Sequence, residues 1–260
     1  MPTLIELADL EANVDLCQRL RLAFVELNMD CPAYSPQSLP ADRLRRLGET
    51  VGIAFTLHLP EKIDLAAFNP HIRAGHLACC KEALAWAADA GVRLVNLHLS
   101  SGVYFTLPGK RVWLYEVHRP DFLQRLEQSF HELLALAKAR GVTVCIENTG
   151  NFSQGFIGEA VKRLIALDPN TLQLTWDVGH DAGAGYADRP IFEQFRSRIG
   201  HVHLHDWDGK QSHSVLFSGQ VDVPGILALA RQLGVAAVIE TKTVESLKES
   251  LRQLDERGLR

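Results

Sequence analysis

Val142-Thr143-Val144-Cys145-Ile146-Glu147 is an apolar, β-branched run that follows the turn signal Arg140-Gly141 and ends on a carboxylate. It reads as a short buried strand whose last residue carries chemistry. Five other runs end in the same way: Thr56-Leu57-His58, Asn96-Leu97-His98, Thr175-Trp176-Asp177, His201-Val202-His203 and Val238-Ile239-Glu240. Parallel strands that close into a barrel bring all six ends to one rim. Side chains alternate between the two faces of a strand. By that parity Val25, Leu27, Leu57, Val95, Leu97, Val144, Ile146, Leu204 and Ile239 lie on one face, under a helical layer. Glu26, Asn28, Thr56, His58, Asn96, His98, Glu147, Thr175, Asp177, His203 and Glu240 lie on the other. Barrel interiors are ordinarily filled with branched apolar side chains, so a polar inner face marks a site.

Around these ends, strands alternate with helix-period segments. Strands are expected at 23–28, 52–58, 92–98, 142–147, 171–177, 200–205 and 235–240. Amphipathic helices are expected near 9–21, 38–48, 72–90, 119–140, 157–167, 187–197, 222–233 and 243–256. In the last of these, Val244, Leu247, Leu251 and Leu254 recur at helical spacing. Repeated β-then-α order implies a parallel sheet with helical crossovers. An eighth strand, shortened, is expected first, at about residues 3–7. No low-complexity linker divides the 260 residues, a length that suits one (β/α)8 TIM barrel of about 250 residues. The expectation is a single α/β domain over 1–260.

Composition narrows the function. The net charge of -4, from 27 basic and 31 acidic residues with no Lys/Arg block, gives no support for nucleic-acid binding. The cysteines (Cys17, Cys31, Cys79, Cys80 and Cys145) are odd in number and form no CxxC motif. That argues for a reducing compartment over a disulfide scaffold. The N-terminus has neither a basic start nor a long apolar core, and no apolar run reaches membrane-spanning length. A cytoplasmic location, away from membranes, is the expectation.

Glu147, Asp177, His203 and Glu240 form the central set. Three carboxylates and one imidazole suit Zn²⁺, Mn²⁺ or Mg²⁺, whose charge removes the repulsion the carboxylates would otherwise feel. His58 and His98 come from strands beside Glu147, which could bridge to a second ion. One or two divalent ions are therefore expected. His180, in Asp177-Val178-Gly179-His180, and His213, in the loop after the seventh strand, are candidates for substrate contact. His201 and His205 share the parity of His203; His201 is deeper and structural, and His205 is a rival ligand. Residues 99–118 form a long connection bearing Tyr104, Phe105, Lys110, Arg111, Trp113 and Tyr115. Such loops are commonly lids or binding loops, and Lys110 and Arg111 could meet a phosphate. The alternative is a packed surface excursion or a contact between copies of the chain in a homo-oligomer.

Several motifs together resemble the xylose isomerase-like TIM-barrel superfamily of sugar isomerases and epimerases, inositol-pathway enzymes and endonuclease IV. They are Leu57-His58-Leu59-Pro60, Ile146-Glu147-Asn148, Trp176-Asp177-Val178-Gly179-His180, His201-Val202-His203-Leu204-His205-Asp206 and Ser218-Gly219-Gln220-Val221-Asp222. Matching His-x-x-Asp selects His203, with Asp206, over His205. The epimerase branch implies one metal on Glu147, Asp177, His203 and Glu240. It also implies acid/base roles for Glu147 and Glu240 on opposite faces of a ketose carbon, a cis-enediolate stabilised by the metal, and His180 on the substrate. Asn148 and Lys110 join the substrate-facing candidates. The endonuclease IV branch implies His58 and His98 as further ligands, and a third ion on His180, His213 and an Asp two residues before the latter. Here that position is Gln211, and Phe217 stands where the family often has Gly. The resemblance therefore implies a metal-dependent isomerase or epimerase of a sugar or sugar phosphate. The alternative is a multi-zinc phosphoester hydrolase acting on a small or conjugated substrate.

Overall fold

The computed structural model describes all 260 residues and contains nine strands: β1 (Phe24–Asn28), β2 (Ala54–His58), β3 (Leu94–His98), β4 (Tyr104–Leu107), β5 (Lys110–Trp113), β6 (Thr143–Glu147), β7 (Leu172–Asp177), β8 (Ile199–Leu204) and β9 (Ala236–Ile239). Seven of them pair in the order β1-β2-β3-β6-β7-β8-β9, every ladder parallel. They form a nearly closed α/β barrel of the TIM type. Helices Ala41–Val51, Pro70–Asp89, Arg119–Arg140, Gly155–Leu167 and Val223–Leu233 make crossovers, and Val244–Glu256 follows β9. Between β7 and β8 the crossover is two short helices, Val178–Gly183 and Arg189–Gln194.

Start signals explain several of these boundaries. Asn69 accepts from the backbone N–H groups of His71 and Ile72, and Pro70 opens the helix behind it. Asp177, the last residue of β7, accepts from the N–H of His180 and so caps the next helix. A candidate metal ligand is thus also the device that turns the chain at the rim.

The expected first strand is corrected. Only Pro2 bridges to Glu26, in the parallel sense. Thr3 N–H donates to Glu26 O (2.9 Å) and Glu26 N–H to Met1 O (2.8 Å). The ladder stops there because the next β1 donor, the Asn28 N–H, goes to the Thr3 hydroxyl at 3.2 Å, and Leu7 turns back onto Leu4. The eighth stave is a stub, and β9 and β1 share no ladder. The 99–118 connection also differs from an open loop. It folds as the antiparallel hairpin β4–β5 around Pro108-Gly109, followed by the short helix Leu114–Val117.

The parity expectation describes the two layers. Val25, Leu27, Leu57, Val95, Leu97, Val144, Ile146, Val202 and Leu204 are buried in one apolar core with helix residues such as Phe122, Phe130 and Ile157. Truncating one of the Leu or Ile residues among them to Ala would cost about 2–5 kcal/mol. The inner face is equally buried but polar. Thr56 donates to Glu26 at 2.9 Å, Thr175 donates to Asn96 at 2.7 Å, and the Asn96 amide donates to Glu147. Burial of such groups is tolerable only because they satisfy one another. The barrel interior is therefore a hydrogen-bonded floor beneath the rim. No helix of the chain is long and apolar enough to cross a membrane.

Candidate metal centre

His203, wholly buried at the penultimate position of β8, organises the centre. Its Nε2 lies 2.8 Å from Glu26 Oε1. Glu26 Oε2 is 3.1 Å from Nε2 of His201, the deeper histidine. Burial would raise the Glu26 carboxyl, but His203 and His201 outweigh it and hold it well below the carboxylate range. The Glu26 contact to His203 Nε2 is an ion-pair approach without hydrogen-bond alignment; a carboxylate beside Nε2 leaves Nδ1 to face the centre, as in metal-ligating histidines.

Around that Nδ1 stand Glu240 Oε2 at 3.0 Å, Glu147 Oε1 at 3.1 Å and Asp177 Oδ2 at 4.0 Å. The ligand atoms of these four residues all lie within 4.8 Å of one another. Glu240 Oε2 is buried without a hydrogen-bond partner. A carboxylate oxygen orphaned in a group of four hard donors fits a divalent cation.

Glu147 reaches a second group with its other oxygen. Oε2 is 3.3 Å from His58 Nε2 and 3.6 Å from His98 Nε2, which are 3.2 Å apart. His58 is braced by its Nδ1, 2.7 Å from the Leu59 carbonyl. Burial pushes the His58 imidazole down, but Glu147 overrides it and raises the pKa to about 9. All six expected metal residues therefore converge, with Glu147 between the two groups.

A cavity of about 260 Å³ opens on this rim, and apart from Pro2 every wall residue is polar. His58, His98, Glu147, His180, His213 and Glu240 line it. His180 Nδ1 is 3.4 Å from the Asn148 carbonyl, and His213 Nδ1 is 3.0 Å from the Glu240 carbonyl. Burial lowers the His213 pKa to about 4, so this ring is neutral at physiological pH.

Two expectations are corrected. Asn148 does not face the cavity: its Oδ1 accepts from the Asp177 N–H at 2.8 Å and its amide donates to the Asp177 carbonyl at 3.1 Å. It is a brace that ties the end of β6 to the end of β7. Lys110 opens β5 on the exposed hairpin, opposite Leu107, and is absent from the cavity wall. Arg111 beside it lies over the Tyr104 ring, 4.9 Å from the centroid.

Glu61 and Lys242 are wall residues that the sequence did not single out. Lys242 donates to Glu240 Oε1 at 2.7 Å. Its signal was its position two residues after Glu240, on the same inward parity. Glu26 was legible as inward-facing, but its role under His203 was not.

The sequence profile of the family described as xylose isomerase-like TIM barrel matches residues 14–257, and the chain belongs to that family. An uncharacterized protein of Methanocaldococcus jannaschii is 24% identical over 231 residues, covering 82% of this chain and 75% of that protein. Among solved structures, a D-tagatose 3-epimerase-like protein superposes with a TM-score of 0.74 at 22% identity, covering 96% of both chains. The IOLI protein with a zinc atom bound superposes with a TM-score of 0.72 at 16% identity, covering 98% of this chain and 93% of that one.

Proposed function

We propose that the chain is a divalent-metal-dependent isomerase or epimerase of a small polyhydroxylated substrate, with Glu147 and Glu240 as its acid/base pair. The observation that carries this reading is the convergence of the two glutamates from the ends of different strands, at 3.1 and 3.0 Å, on Nδ1 of the His203 imidazole. The family supports it, since solved relatives of this fold include a D-tagatose 3-epimerase-like protein. The cavity supports it too: its polar wall offers hydrogen bonds to hydroxyls, and its 260 Å³ is just below the roughly 300–1,000 Å³ usual for ligand pockets.

Glu147, Asp177, His203 and Glu240 would hold the ion, which supplies Lewis-acid polarisation of adjacent substrate oxygens. One glutamate takes the proton from a carbon next to a carbonyl, and the other returns a proton on the opposite face. His180 and His213, each held at Nδ1 by a backbone carbonyl, turn Nε2 towards substrate hydroxyls. In a two-base exchange the returned proton differs from the one removed, so the test is wash-in of deuterium from solvent. Zn²⁺-, Mn²⁺- and Mg²⁺-loaded protein is incubated with a panel of free ketopentoses and ketohexoses in ²H₂O and followed by NMR. Deuterium next to the carbonyl, with appearance of the epimer or aldose, is the expected result. No wash-in from any of them, with release of phosphate from a small phosphoester, overturns it.

A second reading has its own observation. Glu147 Oε2 faces His58 and His98, whose Nε2 atoms have only each other and that oxygen as partners. That arrangement suits a second cation bridged by Glu147, the composition of a two-metal hydrolase. Two tightly bound ions together with phosphoester turnover would select it.

A further inference from the structure

The nitrogens of His180, His205 and His213 lie within 4.8 Å of one another, which on distance alone is a third cation site. Their hydrogen bonds point elsewhere. His205 Nε2 is 3.0 Å from Asp177 Oδ1 and 3.1 Å from Oδ2. The His213 backbone N–H donates to His205 Nδ1 at 2.8 Å. The Asp206 carbonyl lies 3.2 Å from the same nitrogen, but the shorter contact is the His213 N–H, which needs a lone pair on Nδ1, so we assign the proton of this imidazole to Nε2, aimed at Asp177. Both nitrogens are committed, and the ring is wholly buried, so water does not compete for them.

The main chain is shaped to admit that ring. A Cβ on Gly179 would lie 2.0 Å from Cε1 and 2.1 Å from Nδ1 of His205. Gly179 is absent from the glycines with positive φ, so its backbone conformation does not require glycine. The neighbouring imidazole does. The residue two before His213 is Gln211, which brings no charge to hold an ion there.

We infer that His205 is a positioning residue: its imidazole clamps Asp177 for cation binding and fills the space a third cation would occupy. It also ties the 206–214 loop, which carries His213 over the cavity, to a metal ligand. The inference rests on the cation-binding part of the proposed function and not on the reaction catalysed.

The test uses the full chain and Zn²⁺ alone, with affinity read by competition against a chromophoric chelator, stoichiometry by elemental analysis, and ligand geometry by the visible spectrum of the Co²⁺ form. His205→Ala and Gly179→Ala are each expected to weaken the Asp177-side ion by about 10–100-fold, the usual loss for an outer partner of a ligand, and to shift the Co²⁺ bands. The double variant should be no weaker than the weaker single one. His205→Gln, whose side-chain N–H reaches the same oxygens, should recover most of the affinity. If His205→Ala fails to fold, Gly179→Ala and His205→Gln still carry the comparison. Unchanged affinity in Gly179→Ala and His205→Ala overturns the inference, as does a third wild-type Zn²⁺ that His205→Ala loses. A wild-type chain that binds no Zn²⁺ overturns the cation reading of the centre itself.

Discussion

The site has an inner half and an outer half, and they are built differently. The inner half (Glu26, Glu147, Asp177, His201, His203 and His205) is almost wholly buried, and its members are held to one another by short polar contacts. The outer half (His98, His180, His213 and Lys242) is partly open, with each side chain held at one point or two. Groups locked on all sides keep a geometry before anything binds, which is what a cation or a developing charge needs. Groups held at one end can turn to suit a substrate. Under the proposed function, chemistry would belong to the floor and selectivity to the wall.

The hardest blow to it falls on Glu147, the one residue shared by both ligand groups. Glu147→Gln is expected to lower the deuterium wash-in rate by about 100–10,000-fold, the range for loss of a general base, and to reduce bound metal. Wild-type wash-in in this variant would remove Glu147 from the acid/base role. Glu26 comes next, although it is not one of the four converging ligands and meets them at His203. Glu26→Gln keeps the shape but loses the charge beneath His203. It is expected to weaken Zn²⁺ binding by about 10–100-fold and to destabilise the metal-free protein by about 1–3 kcal/mol in denaturant unfolding. An unaltered Zn²⁺ affinity would show that the floor is only packing.

The pH dependence tests the boundary between the halves. The His58 pKa is raised from 6.5 to about 9 in the metal-free protein. Its contribution to stability is then fully present below about pH 6.5 and is lost as pH rises through about 9. A cation requires the neutral ring, so Zn²⁺ affinity at His58, His98 and Glu147 should rise by up to about tenfold per pH unit until about pH 9. Titration calorimetry in buffers of different ionisation enthalpy should show proton release, and His58→Gln should flatten the slope. His213 runs the opposite way. Its pKa is lowered to about 4, so it costs stability as pH falls from about 6.5 to about 4.

Smaller effects are expected on the wall. Lys242→Met should raise KM several-fold more than it lowers kcat, with stability changed by less than about 1 kcal/mol. A loss confined to kcat would move Lys242 into the chemistry. Lys110→Ala, on the hairpin, should leave activity unchanged and stability within about 0.5 kcal/mol.

The strand-end residues of the site, in either half, were its legible part. Strand parity has a period of two, so His58, His98, Glu147, Asp177, His203 and Glu240 announce themselves once the strands are recognised. What parity does not give is the partner across the barrel. Glu26 was visibly inward, yet nothing in the sequence says that it lies under His203, 177 positions later. His205 looked like a rival ligand because its place near Asp177 depends on the absent Cβ of Gly179. The place of Asn148 is not legible because a residue just past a strand end can turn inward or sideways, and here it braces Asp177. The length of the 99–118 connection does not place Lys110, because the Pro108-Gly109 turn folds the segment onto itself.

The open seam of the barrel bears on how the molecule assembles. Each ladder of the barrel joins strands that follow one another in the chain, save for the β4–β5 hairpin between β3 and β6. The stub at Pro2 meets β1 by a single bridge, and the pairing that would close the ring, β9 with that stub, is not made. Glu26 with His201, 175 residues apart, crosses that divide instead, so the charged floor does some of the closing that backbone hydrogen bonds do elsewhere. Strand pairing can advance from one neighbour to the next without waiting for the ends to meet, which keeps loop-closure costs low. The chemical centre draws residues from strands across the barrel, so its ligand set is complete only in the closed form. An ion bound there would shift the folding equilibrium by mass action towards the finished barrel.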